Sequence, residues 1–331
     1  RILIVKLAAV GDVLRTTSIL PALKKKYAGS EITWITKSSA APVLKDNPYI
    51  DRVFVTESSY LDYLHHEDFD LGICLDADVQ SATIHSVARC KERVGFVSDS
   101  AGRVKPVDSR AHEWWLMGLN DEKKKANRRT YQEIMYEICG LELPTAPPQL
   151  VLNGSQEFTQ RFRETPLGGF KKILGVNTGG GGRWQYKKWT FEGYVRFMEI
   201  MKERYPDVGI VMVGGPEEVE LNSRIKQVLG EKIIDGGCGN SLGDFGAIIS
   251  TFDVMLTSDS LGMHMGVALG KPTIVLVGPT SPWELDVFGN GDILHSDIDC
   301  LVCYKSRCDK VVTCMNTLSP EYVVSKVERY L

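Results

Sequence analysis

The fold is decided by one stretch of sequence, Leu256-Thr-Ser-Asp-Ser-Leu-Gly-Met-His-Met-Gly-Val-Ala-Leu-Gly-Lys-Pro-Thr-Ile-Val-Leu-Val-Gly-Pro-Thr280. Its apolar start predicts a strand, the small residues from Gly262 to Leu269 predict a helix, and Pro272 to Val277 predict the next strand. This order is half of a doubly wound parallel sheet. In such sheets ligands bind at the carboxyl ends of the strands, where helix N-termini offer backbone N–H groups to anions.

The polar turn of that stretch holds Asp259, Ser260 and His264, which we expect to lie where a phosphorylated ligand would bind. A simpler interpretation is that Ser258 and Asp259 cap the helix, that His264 is an ordinary turn histidine and that Gly262 relieves packing. The residues alone leave both interpretations open.

Size and composition narrow the class of protein. The chain has 331 residues, so two domains are expected rather than one. Hydrophobic residues make up 43%, charged residues 24%, and the net charge is -3. No apolar run approaches the roughly 20 residues that span a bilayer, and the charge balance argues against a dedicated nucleic-acid-binding protein. We therefore expect a cytoplasmic enzyme with at most peripheral contact to the inner face of the cytoplasmic membrane.

Alternating strand and helix patterns continue through both halves of the chain. Pro144-Thr-Ala-Pro-Pro148 interrupts regular structure before a helix near Gln156 to Arg163, which is predicted to end at Thr165-Pro-Leu-Gly-Gly169. These signals predict an N-terminal domain over residues 1–160, a second domain over 161–318 with a cysteine-rich loop at 300–314, and a closing helix over 319–331.

The first predicted strand leads into the phrase Gly11-Asp-Val-Leu-Arg-Thr-Thr17. Gly11 allows a tight turn, and Asp12 begins a helix. As structure, Asp12 is an N-cap or first-turn acid favoured by the helix dipole. As chemistry, it is a carboxylate at the mouth of a strand. A later strand ends in Asp76-Ala-Asp78, where the two acids either hold a metal ion or face a substrate.

A glycine-rich turn opens the second half of the chain. The buried strand Lys172 to Val176 is followed by Asn177-Thr-Gly-Gly-Gly-Gly182 and then by Lys187-Lys-Trp189. Glycines let backbone amides approach an anion closely, and a nearby lysine can neutralise part of the negative charge of a diphosphate. The alternative is an ordinary flexible loop. Because this turn lies between a strand and a capped helix, the anion-binding interpretation is favoured.

An acidic pair follows the next strand, Gly209 to Val213. At this position Glu217 or Glu218 can accept hydrogen bonds from ribose hydroxyls. Neither a P-loop nor a G-x-G-x-x-G motif after the first strand is present, so the sequence predicts neither ATP hydrolysis nor NAD chemistry.

Together these motifs resemble the bacterial ADP-heptose:lipopolysaccharide heptosyltransferase family, glycosyltransferase family 9. The resemblance is strongest at residues 2–27 and 172–280. It implies an α/β protein of GT-B architecture, with two Rossmann-like doubly wound domains facing across a cleft. It also implies inverting transfer of heptose from ADP-heptose to a lipopolysaccharide inner-core or related lipid-linked or glycan acceptor, with no cofactor required for catalysis.

The resemblance also implies roles for individual residues. Asp12 is the general base and Lys187 stabilises the leaving diphosphate. Gly11 and Asp78 face the acceptor, although the family usually has glutamine in place of Asp78. The donor-binding residues are Thr178, Gly179, Lys187, Glu218, Asp259, Ser260, Leu261, Gly262 and His264. Two of these depart from the family pattern: Leu261 replaces a usual glycine, and Gly179 replaces a usual hydroxyl residue.

Four of the eight cysteines are clustered with the spacing C-x2-C-x4-C-x5-C. Because we interpret Arg1 to Val5 as the first strand and expect no secretory signal, this spacing favours metal ligation over a disulfide framework. A structural zinc or iron site is therefore expected, with free thiols as the alternative, at Cys300, Cys303, Cys308 and Cys314.

Other functions remain open at this point. They are transfer from another nucleotide-sugar or to a protein acceptor, nucleotide-sugar epimerisation on a similar architecture, and non-catalytic nucleotide-sugar binding. The presence of Asp12 together with Lys187 and Asp259 argues against binding alone, because binding does not need an acid in the other domain. An epimerase is distinguished by releasing a free sugar without any acceptor.

Overall fold

The computed structural model describes residues 1–58, 60–151, 156–164, 167–182 and 184–331. The chain forms two compact units, Arg1–Val151 and Leu152–Leu331. The sequence places the boundary later, after residue 160. The structure divides the chain earlier because helix α8, Gln156–Glu164, packs against a helix of the second unit, Leu242–Ser250. Thr165 and Pro166, where α8 is predicted to stop, lie outside the described residues.

The described part of the first unit contains a largely parallel sheet. Its strands are β1 (Ile2–Val5), β2 (Ile32–Thr36), β3 (Arg52–Val55), β4 (Asp68–Cys74), β5 (Arg89–Ser98) and β6 (Val104–Pro106). They are arranged in the order β3-β2-β1-β4-β5-β6, and β6 alone runs antiparallel to its neighbour among these pairings. Every residue of β1 is buried, as expected for an uninterrupted apolar run in the middle of a parallel sheet.

Helices connect these strands. They are α1 (Val10–Thr16), α2 (Leu20–Lys26), α3 (Tyr60–His66), α4 (Val79–Val87), α5 (Ser109–Leu119), α6 (Asp121–Ala126) and α7 (Tyr131–Ile138). The sequence after β2 predicts a helix from about Ala40 to Asp46, and this prediction is wrong in extent. Only a 3₁₀ turn forms there, Ala41–Leu44, and Asp46 has a positive φ of 57° that ends any helical path.

The second unit repeats the plan. Its described strands are β7 (Lys172–Asn177), β8 (Val208–Val213), β9 (Ile234–Asp235), β10 (Val254–Ser258), β11 (Thr273–Val277) and β12 (Gly291–His295), in the order β12-β11-β10-β7-β8-β9. All pair in parallel. The helices that follow α8 are α9 (Phe191–Arg204), α10 (Val219–Leu229), α11 (Leu242–Ser250), α12 (Leu261–Ala268) and α13 (Pro320–Val327).

The predicted strand-helix-strand stretch is present as β10, α12 and β11. In the second sheet β7 lies between β8 and β10, so the chain leaves β7 on one side and returns on the other. This is the topological switch point at which open α/β sheets bind ligands. The residues that end β7 and β10 therefore occupy the expected ligand-binding edge.

The closing helix belongs to the core of the second unit. Helix α13 packs against α9, and Val323, Val324 and Val327 are fully buried. Nowhere in the described ranges is a helix both long enough and apolar enough to span a bilayer.

Candidate functional site

A cavity of about 440 Å³ lies in the second unit at the carboxyl ends of β7, β8 and β10. Strand ends, the glycine-rich turn and the start of α12 form its walls. Most of the residues predicted to bind a donor line this cavity: Gly179, Lys187, Glu218, Asp259, Ser260, Leu261 and Gly262.

Two predicted donor residues lie behind the cavity wall instead. Thr178 is fully buried, and its hydroxyl donates to Asn222 Oδ1 at 2.6 Å and is 3.1 Å from the Val213 carbonyl oxygen. His264 is also buried, and it interacts electrostatically with Asp259. In this conformation both residues support the lining and are not part of it.

Lys187 and Asp259, predicted to act on phosphate and sugar respectively, are in contact. Their Nζ and Oδ2 atoms are 2.7 Å apart, and the Thr280 hydroxyl donates to the same Oδ2 at 2.8 Å. Burial alone would raise the pKa of the Asp259 carboxyl. The attraction of Lys187, followed by His264 and the Thr280 hydrogen bond, holds that pKa below its usual value. Asp259 is therefore an anion facing the cavity.

A second ion pair joins the glycine-rich turn to the acidic pair after β8. The carboxylate of Glu218 is almost completely buried; its Oε2 accepts a hydrogen bond from the Gly215 N–H at 2.9 Å, and the Lys188 ammonium contacts its Oε1. Glu217 also lines the cavity but is exposed. Between the two candidate acids, Glu218 is the one held in place.

Asn177 is a site residue that the sequence analysis missed. Its Nδ2 donates to Thr257 Oγ1 at 2.9 Å and to Ser260 Oγ at 3.1 Å, and its Oδ1 accepts from the Gly179 N–H at 3.2 Å. It therefore ties the ends of β7 and β10 to the start of α12. A buried amide at the carboxyl end of an apolar strand was the available signal.

The N-terminus of α12 has no side-chain cap. Ser260 occupies the N-cap position, but its hydroxyl contacts Asn177 and makes no hydrogen bond to the helix backbone. The first N–H groups of the helix thus keep their capacity to bind an anion. Sequence reasoning also missed a wall contributed by the region after β9, where the lining residues are Cys238, Asn240, Leu242 and Phe245.

We expect Gly278→Ala to destabilise the second unit by about 1–3 kcal/mol, as overpacking usually does. A Cβ on Gly278 would lie 2.0 Å from the carbonyl oxygen of Tyr186, the residue before Lys187, so the backbone beside that lysine would have to move. Urea unfolding measures the loss.

The matched control for this substitution is Gly243→Ala, where a Cβ has only the Ser241 hydroxyl within 4 Å, at 3.9 Å. It should be neutral or stabilising because alanine favours a helix. Equal stabilities for the two variants would contradict close packing at Gly278.

In the first unit, Asp12 lies in the first turn of α1 and not at its N-cap, which is Ala9. Its Oδ1 is 2.6 Å from Arg15 Nη2. The Arg15 guanidinium lies 3.6 Å from the centre of the Tyr131 ring, and the Tyr131 hydroxyl is 2.7 Å from Thr16 Oγ1. Side chains from α1 and α7 thus fix the surroundings of the predicted base. Gly11 lies beside it in the same turn.

The Asp76-Ala-Asp78 pair has structural partners. Asp76 is buried, and its carboxylate accepts from Lys6 Nζ at 2.5 Å and from the N–H groups of Leu7 and Ala8 at 2.6 and 3.1 Å. Asp78 is the N-cap of α4 and accepts from the Ser81 N–H at 3.0 Å. Because one acid binds a lysine and the other caps a helix, the pair does not fit a metal site.

The predicted metal site in the cysteine loop is not supported. Cys300, Cys303, Cys308 and Cys314 are free thiols, and across the described ranges no three His, Cys, Asp or Glu side chains are grouped to hold a metal. Burial raises the pKa of the Cys314 thiol to about 11, and the neighbouring thiols of Cys303, Cys308 and Cys300 add to the shift.

The same loop contacts the turn after β11. The backbone N–H of Tyr304 donates to the Pro279 carbonyl at 2.9 Å, and its hydroxyl donates to Glu284 Oε1 at 3.0 Å. Thr280, which holds Asp259, is the next residue along that turn. The cysteine loop therefore supports the edge of the cavity that carries Asp259.

Comparison with known proteins adds to this geometry. Residues 59–311 match the family model of glycosyltransferase family 9 (heptosyltransferase). Lipooligosaccharide heptosyltransferase 2 of Haemophilus influenzae is 24% identical over 313 residues, which cover 85% of this chain and 84% of that protein.

Solved structures agree in fold. The glycosyl transferase family 9 protein of Veillonella parvula superposes with a TM-score of 0.81 at 18% identity, over 100% of this chain and 96% of that one. Heptosyltransferase II of E. coli, described as an ADP-heptose LPS heptosyltransferase, gives a TM-score of 0.73 at 18% identity, over 100% and 98%. The predicted fold class, two Rossmann-like domains of the GT-B type, is confirmed.

Proposed function

This chain belongs to glycosyltransferase family 9, the heptosyltransferase family, and from that membership we propose that it transfers heptose from ADP-heptose to a lipopolysaccharide inner-core or related glycan acceptor. The resemblance of its sequence motifs to that family is thereby confirmed. The observation that carries the proposal is the cavity at the switch point of the second unit, where an uncapped helix N-terminus and Lys187 lie beside buried carboxylates.

Each group of the donor has a chemically suitable partner in this cavity. Lys187 and the N–H groups at the start of α12 suit the diphosphate, because both carry positive charge or partial charge. Glu218 suits the ribose hydroxyls, and Asp259 suits hydroxyls of the sugar. His264 acts indirectly, through its electrostatic interaction with Asp259.

The proposed reaction is a single displacement with inversion. Asp12 takes the proton from an acceptor hydroxyl as that oxygen attacks the anomeric carbon. The bond between the anomeric carbon and the diphosphate oxygen breaks, and ADP leaves with the electron pair. Lys187 and the α12 N-terminus stabilise the charge on the leaving group, so this mechanism assigns no step to a cofactor.

Gly11 and Asp78 are proposed to face the acceptor, with Asp78 also capping α4. An acceptor of this class is lipid-linked or a free glycan. We propose that the reaction takes place in the cytoplasm, with at most peripheral contact to the membrane.

Calorimetric titration with ADP, ADP-heptose and UDP-sugars tests the donor. We expect selective binding of the ADP compounds and a loss of about 10- to 100-fold in affinity in Lys187→Ala, the usual effect of removing a charge-assisted hydrogen bond. Lys232→Ala, an exposed lysine outside the cavity, is the control.

The other outcomes of the titration are equally informative. Preference for a uridine nucleotide would overturn ADP-heptose as donor, and no nucleotide binding at all would overturn the transferase. Free sugar released from the donor without an acceptor would indicate an epimerase instead.

A further inference from the structure

Two neighbouring lysines at the glycine-rich turn are held by two different carboxylates. Lys187 contacts Asp259, and Lys188 contacts Glu218. Of these two lysines, only Lys187 takes part in the proposed reaction. Lys188 is not among the residues that line the cavity, yet its ammonium contacts Glu218, the carboxylate that is proposed to bind ribose.

The structure makes room for Lys188 to reach that carboxylate. A Cβ on Gly180 would lie 2.8 Å from Lys188 Cγ, so the side chain passes directly over a glycine of the turn. The Lys188 side chain is 22% exposed, whereas the Glu218 side chain is 3% exposed. The lysine thus retains access to solvent while its partner is enclosed.

The contacts of Glu218 limit which further hydrogen bonds its carboxylate can accept. Oε2 takes the Gly215 N–H, and Oε1 faces the Lys188 ammonium. A ribose diol approaching Oε1 has to compete with that ammonium. A donor diphosphate, however, brings negative charge close to the same turn, and phosphate oxygens are strong partners for lysine.

We propose that Lys188 is a second diphosphate-binding lysine, which pairs with Glu218 in this structure and moves to the diphosphate when the donor binds. Its departure frees Glu218 Oε1 to accept the ribose hydroxyls. The inference rests on the proposed function, because it requires a donor that carries both ribose and diphosphate.

The competing explanation is that Lys188 only neutralises a buried carboxylate. Loss of the lysine would then leave Glu218 without its counter-charge and disturb ribose binding and diphosphate binding alike. Neutralising Glu218 as well would remove any further effect of Lys188.

The test is a double-mutant cycle with ADP and adenosine as ligands, using Lys188→Met, Glu218→Gln and the double variant. ADP affinity is measured by calorimetry, and adenosine affinity by ligand-observed NMR. We expect Lys188→Met to weaken ADP binding about 10- to 100-fold and to leave adenosine binding unchanged or tighter. In the Glu218→Gln background, Lys188→Met should still weaken ADP binding about tenfold.

Three results would overturn the exchange of partners. They are wild-type ADP affinity in Lys188→Met, equal losses for ADP and adenosine, and no effect of Lys188→Met once Glu218 is glutamine. Lys232→Met controls for the loss of a lysine elsewhere on the unit. If the wild-type protein does not bind ADP at all, the proposed function itself fails, which is distinct from these three results.

Discussion

Asp12→Asn should reduce turnover by about 10²- to 10⁴-fold, the usual contribution of a general base. Asparagine keeps the size of the side chain but cannot take the proton from the acceptor hydroxyl. ADP binding should be nearly unchanged, because the proposed donor contacts all lie in the second unit. The rate of ADP release in the presence of donor and acceptor measures the first effect, and calorimetry measures the second.

The matched control for Asp12 is Asp62→Asn. Both acids lie in the first turn of a seven-residue helix in the same unit, but Asp62 is exposed on α3. A drop in rate for both variants would indicate a helix-dipole effect rather than base catalysis. Unchanged turnover in Asp12→Asn would remove the assignment of the base.

Lys6→Met should cost the first unit about 3–5 kcal/mol of unfolding free energy, since breaking a buried ion pair leaves an uncompensated charge. Asp76 would keep its two backbone donors, Leu7 and Ala8, but lose the ammonium at 2.5 Å. Burial lowers the pKa of Lys6, but nearby Tyr131, Asp76 and Asp12 outweigh it and raise that pKa overall. Lys6 is therefore charged, and its removal is a change of charge as well as of shape.

Native-state hydrogen exchange of the β1 and β4 amides reports the stability of this unit separately from the second one. The double variant Lys6→Met/Asp76→Asn should recover part of the loss, because the orphaned charge is gone. Lys91→Met, which breaks the exposed pair with Asp70, should have no measurable effect. A Lys6→Met protein as stable as wild type would contradict a stabilising role for the buried pair of Lys6 and Asp76.

The sheets were predictable because each central strand is an uninterrupted apolar run, such as Ile2–Val5, bounded by glycine or polar turns. Short polar helices were not. Helix α6 contains no buried residue, and α5 buries only Ala111, so neither carries a clear apolar stripe in the sequence. The helix predicted from about Ala40 to Asp46 contains apolar residues, but only the four residues Ala41–Leu44 form a 3₁₀ turn there.

The sequence predicted which residues lie at the site, but it did not predict which lysine pairs with which carboxylate. Strand ends identified Asp259 and Glu218, because parallel strands finish at a common edge. Which lysine reaches which carboxylate depends on the path of the glycine-rich turn, and sequence spacing does not fix that path. The cysteine loop shows the same limit: the spacing C-x2-C-x4-C-x5-C predicts a metal site, whereas the described residues contain no group of three His, Cys, Asp or Glu side chains placed to hold a metal ion.

The pairing of Lys187 with Asp259 and of Lys188 with Glu218 has a kinetic consequence. Together these four side chains carry no net charge, so they cast only a short-ranged electric field into the solvent. A nucleotide is then not steered toward them from a distance, and encounter proceeds at the rate of ordinary diffusion and orientation. Differences in affinity among donors will arise after contact and will be expressed in how long each one stays bound.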